Sequence, residues 1–442
     1  MLVALLCVLY GVLLGFLDWF GLYWLSCYVL TLVVFKSMFG LLSTGEGLGV
    51  GQMYPVSFDF VGFSFLLLTG WITLVGVWSG LGHLLFGLRT YMGLFMFLFV
   101  VLFMFFGINN LLLFFLLFEG ALVPMFIILG LWGAQPERIL ANYYFFLYTI
   151  IGGFPLMLFI LGGFFEFVSE TIIFLGCGFL VLDSLVFFAL LVAFLCKLPM
   201  YGFHMWLPKA HVEAPVGGSI VLAGLLLKLG GYGVFRLVGF VWVGSGFFYM
   251  LLLGMGVWGM FISGFLCMRQ VDLKSMIAYS SVAHMSMCLA GMCVFYLWGF
   301  KGGLILMLSH GLVSPALFGL GNFLYERSGS RVMLAMGACQ QGFYVVSFFF
   351  IFFLACNFGF PPSLSFFGEL SLYFGLLQWS FFLFFVLGLG MVVMGMVMLK
   401  MFVKVFYSLG VGFLGGEVNL REMYMMWVLV VKMAWVSVLF VY

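Results

Sequence analysis

The chain has 442 residues, of which 66% are hydrophobic and only 7% charged. A soluble surface carries about 25% charged residues, so the composition excludes a soluble globular protein and points to a polytopic membrane protein facing lipid. A formal net charge of +2, with no basic cluster, argues against nucleic acid as a partner.

A hydrocarbon core of ~30 Å takes ~20 apolar residues per helix. That measure predicts an all-α chain of about fourteen transmembrane spans. They begin near Leu2, Gly21, Val61, Tyr91, Asn110, Ala141, Asp183, Val212, Phe240, Lys274, Gly302, Val332, Gln378 and Tyr424. No cleavable signal peptide or basic transit segment is legible, so the first span reads as retained. The glycine-rich stretch Ser43–Phe60 is expected to be one long early loop. The seventh span, from about Asp183 to Leu207, contains Pro199 and Gly202; the twelfth runs past Pro361 and Pro362 to Glu369 and Leu377. Proline removes a backbone donor and clashes one turn back. A helix broken at membrane depth is tolerated where it is buried in protein or lines a wet cavity. KLPMYGF (197–203) and FPPSLSF (360–366) both place Phe four residues after a proline, with Lys197 or Glu369 nearby. Paired breaks of this kind suggest a transporter with internal repeats.

Basic residues concentrate after odd-numbered spans: Arg89, Arg138, Lys209, Arg269, Lys274, Arg327, Arg331, Lys400, Lys404 and Arg421. Only Lys36, Arg236 and Lys301 follow even-numbered ones. The positive-inside rule then places the odd loops on the negative side and both termini on the positive side. The abundance of Phe (61) and Gly (59) matches G/T-rich codons and suggests an organelle gene with strand bias. The nine cysteines form no CxxC, zinc or iron–sulfur spacing and read as small core residues.

Within the spans the candidate chemistry is a short list: Glu119, Lys197, Lys228, His284, His310, Glu369 and Lys432. A lysine at mid-bilayer costs ~2.5–3.5 kcal/mol on insertion scales, and such residues usually mark ion or proton pathways. Glu119 is too deep to reach an interface, and Lys197 is its natural partner; the plain alternative is a static salt bridge. Lys228, among Gly224, Gly230 and Gly231, is an amine that could exchange its proton. His284 and His310 stand beside serines in successive spans, and histidine titrates near neutral pH. In this order the six groups from Glu119 to Glu369 could form a wet polar row across the membrane middle. Lys432 lies near one end of the last span and is expected to snorkel; Asp183 reads as an N-cap and His83 as structural. His204, His211 and Glu213 lack zinc-hydrolase spacing, and Lys228 has no phosphate loop before it. No redox cofactor site is legible.

FHMWLPKAHVEAP (203–215) followed by GLLLKLGGYG (224–233) resembles the proton-conducting module of respiratory NADH–ubiquinone oxidoreductase and its antiporter relatives. Further matches are LWGAQPERILANYYFFLYT (131–149), QVDLKSMIAYSSVAHM (270–285), SHGLVSPALFGLGNFLYER (309–327) and GFPPSLSFFGEL (359–370). The set points to the chain 4 branch of that family rather than to chains 2 or 5. Gly120 after the glutamate, and Ser314–Pro315 after the histidine, depart from the usual pattern. The resemblance implies fourteen helices with two inverted five-helix repeats, at 91–236 and 237–406, each holding one broken helix. N-terminal helices and a loop (1–90) and a C-terminal loop and helix (407–442) flank them. It implies proton transfer by Glu119, Lys197, Lys228, His284, His310 and Glu369 with no cofactor bound by this chain. NADH, FMN, iron–sulfur clusters and ubiquinone would sit elsewhere in the assembled complex. The partners implied are lipids and the antiporter-like subunits on both sides in the membrane arm. The location implied is the mitochondrial inner membrane, with both termini toward the intermembrane space. The alternative is a subunit of a multi-subunit cation/proton antiporter without redox coupling.

Overall fold

The computed structural model describes residues 50–53, 56–80, 87–163, 180–181, 184–238, 241–242, 247–336, 344–407 and 419–441. The spans expected from Leu2 and Gly21, and residues Asp183 and His83, lie outside the described residues. Among the described residues, nine helices are long and apolar enough to cross a membrane.

The helices follow the apolar runs. α1 spans Phe60–Gly80, α2 Leu88–Gly107, α3 Leu111–Gly120, α4 Leu122–Trp132 and α5 Arg138–Gly163. Asn110 starts α3 because its side-chain oxygen accepts from Leu112 N at 3.0 Å, satisfying an otherwise orphaned amide. α3 and α4 form one span with a joint at Gly120–Ala121. Pro124 explains the joint, since it has no N–H to give the carbonyl one turn back. The expected seventh span divides into α6 (Ser184–Lys197) and α7 (Trp206–Glu213). The eighth is α8 (Val216–Val221), a π turn (Leu222–Leu226) and α9 (Leu227–Val238). α10 (Phe247–Arg269), α11 (Leu273–Cys293) and α12 (Leu297–Ser328) follow. The twelfth span divides into α13 (Tyr344–Asn357) and α14 (Leu364–Trp379); α15 (Phe381–Phe406) and α16 (Leu420–Val441) close the chain. Inside the expected early loop, β1 (Val50–Met53) pairs antiparallel with β2 (Val56–Phe58). β3 (Leu180–Val181) pairs parallel with β4 (Val241–Trp242).

The two breaks solve one problem in the same way. A helix end leaves carbonyls without partners. At the first break Phe194 O accepts from Leu198 N, Leu195 O from Met200 N, and Cys196 O from the Trp206 indole at 2.9 Å. At the second, Leu354 O accepts from Phe358 N, Ala355 O from Phe360 N, and Cys356 O from the Ser365 hydroxyl. A glycine at positive φ turns the chain in each, Gly202 at 103° and Gly359 at 74°. This hydrogen-bond register sets Lys197 opposite Asn357. Glu369 stands past the second break, inside α14, as the sequence placed it.

Contacts between loops sort the two ends of the bundle. Ala134 N donates to Glu213 O, Arg331 pairs with Glu213 at 3.2 Å, Leu273 N donates to Arg331 O, and Arg327 pairs with Glu422 at 2.5 Å. These groups follow the fifth, seventh, ninth, eleventh and thirteenth spans, so those loops share one face, called here the basic face. At the opposite end Arg236 pairs with Asp59 at 2.6 Å, joining the end of α9 to the start of α1.

Two placements differ from the sequence expectation. Lys274 is not a loop charge: it sits in the first turn of α11, only 5% exposed. Lys432 stands in the middle of α16, not near its end, with its amine 4.8 Å from the centre of the Trp71 ring. It is held by an aromatic face rather than reaching for water.

The core is apolar and aromatic, and small residues let the helices approach. A Cβ at Gly302 on α12 would stand 2.8 Å from Leu372 N of α14, and one at Gly375 on α14 would stand 2.8 Å from Gly299 N of α12. Close backbone approach through glycine is how membrane helices gain packing energy. The outer faces expose Ile151, Phe154, Phe382 and Leu399, as a surface in lipid or against other subunits requires.

Candidate functional site

Two groups of ionisable side chains lie inside the bundle. The first is built where α3, α5 and α6 meet. Lys197 ends α6, where a cation also suits the helix dipole. Its amine donates to Phe118 O at 2.5 Å, lies 3.2 Å from the centre of the Phe118 ring, and stands 3.6 Å from Glu119 Oε1. That last distance is an ion pair but exceeds the 2.7–3.2 Å of a formed N–H···O bond. Neither Glu119 oxygen has a protein hydrogen-bond partner. Glu119 is 22% exposed while Lys197 is 3% exposed. Its carboxylate borders an outward pocket of about 330 Å³, lined by Phe115, Val123, Ile150, Phe154 and Met157. Gly153 makes room for it: a Cβ there would come within 2.9 Å of Glu119 Oε1. The lysine amine is hydrogen-bonded, whereas both Glu119 oxygens are buried with no hydrogen-bond partner in the protein.

The second group is a series of four neighbouring side chains. The Lys228 amine lies 2.9 Å from His310 Nδ1. The His310 and His284 rings stand 5.8 Å apart between centroids, and His284 Nδ1 is 3.7 Å from Glu369 Oε1. All four residues are at most 3% exposed. The fold positions them by local devices. The π turn directly before α9 leaves Ala223 O to accept from the Lys228 amine at 2.5 Å, and π turns recur at functional sites. Pro315 inside α12 leaves the Gly311 carbonyl without its usual donor. Gly311 and Gly224 allow close packing here: a Cβ on Gly311 would stand 3.3 Å from Lys228 Cε, and one on Gly224 3.1 Å from Pro315 Cγ. Ser314 Oγ lies 3.3 Å from His310 Nδ1 and donates to His310 O. Glu369 enters from α14, and both nitrogens of His284 and Nε2 of His310 lack protein partners. Buried polar groups are otherwise almost always paired with protein or water.

Among the described residues, no hydrogen bond or ion pair joins Lys197 to Lys228. Their helices nonetheless touch at the backbone, since a Cβ at Gly230 would stand 2.7 Å from Leu198 N. The structure thus gathers all six sequence candidates, but as a pair and a foursome rather than one row.

Residues 108–395 match the family described as NADH:quinone oxidoreductase/Mrp antiporter, TM, which covers well over half of the chain. The chain belongs to this family. Its relatives include NADH-ubiquinone oxidoreductase chain 4 of Branchiostoma lanceolatum, 39% identical over 336 residues and 74% of each chain. The same-named protein of Arbacia lixula is 40% identical over 334 residues and 73% of each chain. Among solved structures, a chain of respiratory complex I from Thermus thermophilus with bound NADH superposes with a TM-score of 0.86. It is 23% identical and covers 98% of this chain and 95% of its own. A chain of the Mrp complex from Dietzia sp. DQ12-45-1b gives 0.84 at 17% identity, covering 98% and 94%. At such identity the two structures speak for the fold of this NADH:quinone oxidoreductase/Mrp antiporter family member.

The family region holds all six candidates, and it also holds buried ionisable groups the sequence did not single out. His204 Nδ1 accepts from Gly202 N at 3.3 Å beside the first break. His211 is 0% exposed, and Lys274 and Glu213 are 5% exposed. His204, His211 and Glu213 lie in HMWLPKAHVEA, which the sequence marked only as part of the family resemblance.

Proposed function

We propose that this chain is a membrane-arm subunit of NADH:ubiquinone oxidoreductase that translocates protons, coupled to electron transfer from NADH to ubiquinone in other subunits. The observation that carries it is the buried series Lys228–His310–His284–Glu369 beside the Glu119–Lys197 pair. Groups this costly to hold in an apolar interior, with ring nitrogens left to bond water, suit proton hopping rather than packing. Chain 4 relatives at 36–40% identity bear the same name as the proposed complex. The enzyme in this reading is the whole complex; this chain moves protons and holds no redox centre, while FMN, iron–sulfur clusters and ubiquinone belong to other subunits. The similar hydrogen bonding at the two breaks supports a division into two five-helix units, 91–236 and 237–406.

In this mechanism Glu119 and Lys197 act as a gate. The Glu119 carboxylate, buried just behind the outward pocket and without a hydrogen-bond partner, responds to charge on a neighbouring antiporter-like subunit. When it withdraws, the Lys197 amine keeps only a carbonyl and a ring face as partners and gives up its proton more readily. The foursome then passes a proton from Lys228 through His310 and His284 to Glu369. The location proposed is the mitochondrial inner membrane, with the basic face toward the matrix and the termini toward the intermembrane space. The second reading, an antiporter subunit without redox coupling, draws on the Mrp fold likeness. Purification in mild detergent separates them. Co-purifying flavin and iron–sulfur proteins with NADH:ubiquinone activity support the first reading; partners without either, and cation-dependent proton exchange, replace it with the second.

A further inference from the structure

His211 stands outside the Lys228–His310–His284–Glu369 series, yet it is the least exposed of the described histidines, at 0%. Its ring lies flat on Phe318 of α12, 4.3 Å between centroids and 4° between planes. Face stacking leaves the ring edges free, and neither nitrogen has a protein hydrogen-bond partner. Phe318 is eight residues past His310, about 12 Å along the helix toward the basic face. α7, which carries His211, packs against α11, which carries Lys274 near its start.

Two residues along α7, Glu213 gives Oε1 to Arg331 and keeps Oε2 buried without a protein partner. Glu213 also borders an opening of about 350 Å³ lined by Glu137, Tyr144, Pro208 and Lys209. Polar groups therefore descend from the basic face to the middle of the bundle. On the opposite side the Asp59–Arg236 pair reaches the Tyr232 hydroxyl, which donates to Phe106 O at 3.1 Å. One turn beyond Lys228, Tyr232 packs against Phe106 at 5.0 Å and Phe105 at 5.6 Å, and Phe118 against Phe194 at 5.1 Å. The Lys228 amine itself reaches back toward the basic face, to Ala223 O.

We propose that His211 carries protons between the basic face of the bundle, by way of Glu213 and Lys274, and the Lys228–His310 pair. This rests on the proton-translocating reading of the site. In each passage the neutral imidazole accepts a proton on its bare nitrogen from the Lys274 side, directly or through water. It then releases the proton on its other nitrogen toward Lys228. The ring ends as the opposite tautomer, and a half-turn restores it. One proton enters, one leaves, and no bond between heavy atoms changes.

The test uses the intact membrane complex in sealed vesicles, with three variants. Lys228→Met examines the reading itself: coupled turnover is lost if the reading holds, and a full rate there ends the reading and this inference with it. His211→Phe keeps the stacked volume and is expected to assemble, with NADH-driven proton movement reduced at least about tenfold. His211→Gly opens space for added imidazole, which is expected to restore movement several-fold. 1-Methylimidazole, which fills the same space but has one nitrogen blocked, is expected to restore none. Full activity of His211→Phe with Lys228→Met inactive overturns the inference and leaves the reading standing. Equal rescue by both bases, rescue by neither, or failure of both variants to assemble assigns His211 to packing and also overturns it.

Discussion

The Lys197 amine makes its best contact with a carbonyl, not with a carboxylate. Phe118 O at 2.5 Å and the Phe118 ring face hold it in place, while Glu119 at 3.6 Å can leave without uncovering the amine to lipid. In the proposed mechanism this asymmetry lets the carboxylate part from the amine, whereas a structural salt bridge would have both partners hydrogen-bonded to each other. Glu119→Gln should therefore leave assembly intact and slow NADH oxidation strongly, because pumping and electron flow are coupled. Rates of both in membranes carrying the variant check this, and a full rate would make Glu119 merely structural. At the other end of the molecule the reverse geometry holds. Arg327 and Glu422 are 8% and 2% exposed at 2.5 Å, and Asn419 N also donates to Glu422. Arg327→Ala strands a buried carboxylate and should loosen α16 by about 3–5 kcal/mol. Limited proteolysis should then release the C-terminal helix faster than in the native chain.

At the scale of elements, the breaks and the glycine seams do the positioning. Gly202 has only Met255 Cε near its missing Cβ, at 3.8 Å, so its requirement is backbone conformation rather than space. Gly202→Ala should cost about 1–3 kcal/mol and disturb the first break, lowering thermal stability of the complex without loss of any charged group. Gly302→Leu is a harsher change. Its side chain meets the α14 backbone, so α12 and α14 must part and carry His310 away from Glu369. Loss of assembly on native gels is the expected result. Much of this layer was legible. Proline in an apolar run marks a break wherever the membrane forbids an unpaired backbone, and Glu119, Lys197, Lys228 and Glu369 stand out because charge there is rare. The π turn was not legible, for LAGLLLKLG carries no mark that one carbonyl will be handed to a lysine. Lys274 was misread because a charge at a span end is usually solvated, and only the packing of α11 against α7 and α12 buries it. His211 was missed for the same reason: its neighbours are polar in sequence and buried in space.

For the whole molecule, loop contacts divide the chain into a basic face and an opposite face, and the orientation proposed rests on charge. Among the described residues Leu334 is exposed on the basic side and Leu297 on the other. Leu334→Cys should react with an impermeant thiol reagent only from the matrix side and Leu297→Cys only from the intermembrane space; the reverse pattern would invert the proposed topology. In the proposed mechanism the two groups of ionisable residues have distinct tasks, one opening to a neighbour and one moving the proton. The most direct test of that division is the number of protons moved per NADH oxidised by the reconstituted complex carrying Lys197→Met. With only a methyl thioether where the amine stood, the account predicts an assembled complex whose proton movement through this subunit is lost. An unchanged ratio at a normal oxidation rate would contradict it.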